Sequence, residues 1–165
     1  MRIAWATMLA LAAGGVVTYA ALAQEEPAAD ATRTTPAEIL GQEADADTLR
    51  LGQELYAENC ASCHGTDLEG QPDWKRRLEN GRMPAPPHDA SGHTWHHADQ
   101  DLFVITREGL GAIVPGYESD MPAFGDILTD PEIRAVLAYI KSTWPERERE
   151  FQAEVTRNAA EEDGP

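Results

Sequence analysis

Residues 66–97 hold seven glycines and prolines among many polar side chains, and nothing in them repeats with a helical or a strand period. Connections longer than about 15 residues are uncommon in a compact domain unless something else organises them. The flanking sequence offers only three helical signals. "LRLGQELYAENC" (49–60) follows Asp47-Thr48, which can cap it, and sets Leu51, Leu55 and Tyr56 on one face. Gly52 is costly inside that helix, so close packing against it is expected. "DQDLFVITREGL" (99–110) begins near Asp99, with Gly109 or Gly111 after it. "EIRAVLAYIKSTW" (132–144) follows Asp130-Pro131, a cap and then a proline at the first helical position, and places Ile133, Val136, Leu137 and Ile140 at i, i+3, i+4 and i+7 before Pro145 stops it. No segment alternates like a strand. The expectation is an all-α fold of three main helices and long loops. Its apolar core is too thin for so much loop, and a large buried prosthetic group would resolve the difficulty.

The ends of the chain read differently. Met1-Arg2 precede an apolar stretch from Ile3 to Ala23 that closes with Ala21-Leu22-Ala23. A positive start, an apolar middle and a small-x-small site describe a secretory signal peptide over residues 1–23. The alternative is an uncleaved anchor, since about 20 apolar residues just span a bilayer. Either way the remainder is expected to be exported to a periplasm, free or membrane-tethered. Beyond residue 23, 12 basic residues stand against 29 acidic ones, a net charge of −17. That argues against nucleic acid or anionic lipid as partners, which such a chain repels. Residues 24–47 hold seven acidic groups, one Arg and two prolines, a composition that cannot bury a core; a disordered acidic leader is expected. Residues 145–165, with seven acidic and three basic groups, read as a solvated acidic tail, helical for a turn or two. The candidate domain is 48–144.

Within it lies "CASCHG" (60–65), which holds the chain's two cysteines. Structural zinc needs four Cys or His ligands with paired spacing, and His64 is too close to complete such a site easily. A thioredoxin-like dithiol calls for a βαβ pattern that is missing here. A plain disulfide leaves His64 unexplained. C-x-x-C-H in an exported chain reads as the attachment of a c-type haem: Cys60 and Cys63 bond the two vinyl groups and the imidazole of His64 reaches the iron. For a second axial ligand the candidates are Met121, Met83 and the four remaining histidines. Met121, in "SDMPAFGD", lies 57 residues after His64 and is followed by Pro122, whereas Met83 leaves only 19 residues to pass the haem edge.

On these residues the chain resembles the class I cytochromes c. Gly52 and Tyr56 stand eight and four residues before Cys60, like the small and aromatic pair of the family's first helix. "MPAF" matches the sixth-ligand loop, and "EIRAVLAYIKSTW", with Tyr139, matches the last helix. The resemblance covers residues 48–144. It implies a cytochrome c-like fold wrapped around one covalently bound haem c, with His64 proximal and Met121 distal. It also implies that the last helix crosses the first at Gly52, and that Pro86 or Pro87 offers a carbonyl to the His64 imidazole.

The departure is "APPHDASGHTWHHADQ" (85–100), which carries His88, His93, His96 and His97. Three readings stand: polar residues closing over the haem edge, with Trp95 or a neighbouring His reaching a propionate; a copper or other metal site drawn from His93, His96, His97 and His88; or a His in place of Met121 on the iron. The functional expectation is a non-enzymatic electron carrier with no direct small-molecule substrate. It would shuttle single electrons between redox proteins such as a membrane oxidase or reductase complex or another cytochrome. The alternatives are a haem enzyme or sensor with an open iron position, and a metal-handling protein that uses the His88–His97 loop.

Overall fold

The computed structural model describes residues 37–162. The expected signal or anchor segment, and the leader up to residue 36, lie outside the described residues. The all-α expectation holds. Five α-helices, α1 (Ala46–Asn59), α2 (Ala61–His64), α3 (Asp99–Glu108), α4 (Asp130–Ser142) and α5 (Glu146–Glu162), are joined by loops and preceded by a small hairpin of β1 (Glu38–Ile39) and β2 (Gln42–Glu43). Among the described residues no helix is long and apolar enough to cross a membrane.

Helix starts differ slightly from their sequence signals. α1 is capped by Asp45, whose carboxylate accepts the Thr48 N–H at 2.8 Å, so Asp47 and Thr48 lie inside the helix. α4 is capped by Thr129 in a reciprocal box with Glu132, and Asp130-Pro131 form its first turn. α3 closes at Gly109, whose φ of +87° ends the helix at little steric cost.

α1 and α4 cross at Gly52. A Cβ there would stand 2.0 Å from the Ala135 carbonyl oxygen and 2.9 Å from Tyr139 Cβ, so only glycine lets the backbones meet. α4 is the spine of the fold. One apolar cluster gathers Ile133 and Leu137 with Ile39, Leu102, Phe103 and Phe124. A second gathers Val136, Ile140 and Trp144 with Tyr56 and Leu68.

Two segments correct the reading of the chain's ends. Residues 37–47 are not a disordered leader. Ala37 and Ile39 are buried, and β1 pairs with β2 around a turn in which Leu40 and Gly41 both adopt positive φ. Residues 146–162 are not a solvated tail. After Pro145 the chain restarts as α5, with Glu148 buried and Gln152 fully so. Both attach through one buried polar junction. Lys141 Nζ donates to Asp99 Oδ1 at 2.6 Å, Gln152 Nε2 donates to the same oxygen at 2.7 Å, and Leu40 N–H donates to Asp99 Oδ2 at 2.8 Å. The Asp99 N–H also donates to Thr156 Oγ1 at 3.1 Å. Periodicity searches miss such a junction because polar atoms make the buried face of α5.

Candidate functional site

The attachment turn grows out of the end of α1. Cys60 N–H donates to Tyr56 O at 2.9 Å, and Cys60 O accepts from Cys63 N at 3.1 Å and His64 N at 2.9 Å. One helical turn therefore carries both thiols and the imidazole. Cys60 and Cys63 are free thiols, so the structural disulfide reading finds no support. Burial, with Cys63 adding to it, pushes the Cys60 thiol up to about 11. A reactive dithiol needs the opposite shift.

His64 is buried, and its Nδ1–H donates to the carbonyl of Pro86 at 2.8 Å. A carbonyl can only accept, so the proton sits on Nδ1 and the Nε2 lone pair is left for a metal. Burial lowers the pKa of His64, opposed by the Pro86 bond, and the neutral ring is the form that ligates. Of the two prolines, Pro86 takes this role. Pro87 packs instead against Gly92, where a Cβ would meet the Pro87 carbonyl oxygen at 2.0 Å. Beyond His64 the chain is pinned by Tyr56 Oη, which donates to Gly65 O at 2.8 Å, and by Gly70 N–H, which donates to His64 O at 2.7 Å.

Met121 is partly buried against the Leu102–Phe103 cluster, and its N–H donates to Ser119 Oγ at 3.1 Å. The segment after it is tied to α3 by Phe124 N–H to Thr106 O and Gly125 N–H to Arg107 O. Arg82 pairs with Asp120 and with Glu118, so the segments bearing Met83 and Met121 adjoin.

The loop histidines do not converge. His88 lies face to face with His64, ring centroids 4.0 Å apart at 20°. His93 stacks on Trp74 at 5.3 Å, with the His97 ring edge-on at 5.4 Å. His96 packs on Trp95 at 3.8 Å. Among the described residues no three His, Cys, Asp or Glu side chains are arranged to hold a metal ion. The copper-site expectation is corrected accordingly: His93 and His97 meet edge-on, but His88 and His96 are taken up by His64 and Trp95. The Trp95 indole Nε1–H is buried without a partner among the described residues, and a buried donor calls for an acceptor. Free thiols, a ligand nitrogen freed by Pro86 and an orphaned indole together fit a haem. Two features of this region had escaped the sequence. Phe151 of α5 meets the Trp95 ring edge-on at 5.3 Å, and His88 stacks on His64; the latter's only signal was its place two residues after Pro86.

A family model described as Cytochrome c matches residues 49–144. The chain belongs to the cytochrome c family. Haem c is therefore the cofactor its family implies. Among curated relatives, this cytochrome is 32% identical over 108 residues to the cbb3-type cytochrome c oxidase subunit CcoP of Rhodobacter capsulatus, across 64% of this chain and 32% of that protein. It is 33% identical over 84 residues to the cytochrome bc1 complex cytochrome c subunit of Mycobacterium bovis, across 44% of this chain and 30% of that protein. A nitrite reductase of Stutzerimonas stutzeri is 27% identical over 113 residues, across 65% of this chain and 18% of that protein. The chain spans about a third or less of the length of these relatives. No solved structure matches.

Proposed function

We propose that this protein is an exported, periplasmic monohaem cytochrome c that carries single electrons between redox partners and catalyses no reaction of its own. Cys60 and Cys63 would hold the haem through thioethers, and His64 and Met121 would ligate its iron. The observation that carries the reading is the buried His64 ring, with Nδ1–H held by Pro86 O and Nε2 free. A bound haem supplies one reversible electron at its iron. The chain's own residues do the rest. Pro86 fixes the tautomer, Tyr56 holds the backbone behind the ligand at Gly65, and Trp95 offers an N–H to a propionate.

The CcoP and bc1 relatives are subunits of an oxidase and of a bc1 complex, which supports a membrane oxidase or reductase complex, or another cytochrome, as partner. Lys75, Arg76 and Arg77 are exposed and form the only dense basic cluster in an acidic domain. Docking through mainly apolar contacts or to a basic face follows from that balance.

Visible and near-infrared spectra of the purified protein, with haem-stained denaturing electrophoresis, test the reading. Haem should survive denaturation, and the oxidised protein should show the weak near-infrared band of thioether-ligated low-spin iron. Met121→Ala should abolish that band and let small ligands reach the iron. A wild type that already binds them and lacks the band would instead have an open iron position. Loss of the band only in Met83→Ala would assign the distal ligand to Met83.

A further inference from the structure

The Pro86 bond restrains the His64 ring at one edge, through Nδ1. The His88 ring bears on the same imidazole from one face. Their centroids are 4.0 Å apart and the planes are within 20° of parallel. His88 is itself immobilised. Its N–H donates to Leu68 O at 2.8 Å, its carbonyl accepts the Trp144 indole N–H at 2.7 Å, and its Nδ1 pairs with Thr94 Oγ1 at 2.8 Å. The Tyr56 ring stands edge-on to it at 6.3 Å. An aliphatic side chain would fill the same space without burying polar atoms that then need partners.

We propose that His88 is a positioning residue for the proximal ligand, its stacked imidazole fixing the direction of the His64 ring plane and favouring the oxidised iron. The inference rests on the reading of His64 as an iron ligand. With haem bound, the His64 ring would carry more positive charge in the oxidised state than in the reduced one. The face of a neighbouring neutral aromatic ring is the negative side of its quadrupole, so it attracts that charge.

The test compares wild-type holoprotein with His88→Leu, His88→Phe and Thr94→Val, using the low-spin ferric electron paramagnetic resonance signal and the redox poise at one fixed ambient potential. His88→Leu should shift and broaden the largest g-value, and lower the oxidised-to-reduced ratio about threefold, equivalent to ~28 mV at ~59 mV per tenfold for one electron. His88→Phe keeps an aromatic face and should restore most of both. Thr94→Val frees the His88 ring to turn and should broaden the g-value with a smaller change in ratio. A folded His88→Leu protein with the wild-type signal and ratio overturns the proposal. If that variant does not fold, a wild-type signal in Thr94→Val does the same. A wild type with no covalent haem, or none that is low-spin, would instead remove the ligand assignment itself.

Discussion

The Cys60–His64 turn and the Asp99–Lys141–Gln152 junction are both polar assemblies drawn into the protein interior, and they are satisfied in different ways. At the junction the chain answers itself. Both Asp99 oxygens are occupied, Lys141 has its carboxylate, and Gln152 also donates to His97 O at 3.1 Å; only Gln152 Oε1 is left over among the described residues. At the turn the chain instead gathers two thiols and a buried imidazole held at Nδ1 by Pro86, and the nearby Trp95 indole N–H is buried without an acceptor among the described residues.

The sharpest way to break the comparison is to damage the junction alone. Lys141→Ala leaves the Asp99 carboxylate buried and unpaired, which costs about 3–5 kcal/mol. Urea denaturation should show that loss while the haem spectrum stays as in wild type. A spectrum that changes with it would mean that the two assemblies are not separable.

A smaller effect is expected at the turn. Tyr56→Phe removes the donor to Gly65 O and leaves that carbonyl without its bond, at about 1–3 kcal/mol. Because Gly65 follows the ligand directly, this variant should disturb the haem spectrum although it destabilises less than Lys141→Ala. Equal stability and an unchanged spectrum would show that water replaces the hydroxyl without loss.

The smallest effect is with pH. Burial holds His88 well below the usual 6.5, and burial also lowers His97 against the opposing charge of Asp101. On acidification the unfolded chain takes up these protons before the folded one does. Stability is therefore full above 6.5 and falls as pH drops below it. The urea midpoint should be lower at about pH 5.5 than at about pH 7, and His97→Ala should reduce the difference. A midpoint that does not move between these conditions would refute the contribution of the His loop.

Much of the helical scaffold was legible before any coordinates. α3 begins at Asp99, α4 runs through the expected apolar face, and Gly52 meets Ala135 as the cost of a mid-helix glycine implied. Caps were misplaced by a residue or two because Asp45 and Thr129 compete with equally good neighbours. α5 was missed for a different reason. Its buried residues are Glu148 and Gln152, so its inward face carries no apolar period, and a helix of Glu, Arg and Gln looks the same whether solvated or docked. β1 and β2 are two residues each, too short for alternation to register.

What the sequence determined by itself is local: two thiols and an imidazole on one helical turn, and helices whose periods and caps lie within a dozen residues. Those features depend only on neighbours along the chain. The tertiary structure decided the rest: Pro86 and not Pro87 as acceptor for His64, 22 residues away; Asp99 as the anchor for Leu40, 59 residues away, and for Gln152, 53 away; and a face-to-face contact between His64 and His88. A hydrogen bond or a stacked ring is directional, and its direction is set by how distant segments settle on one another. Composition and spacing carry no record of it.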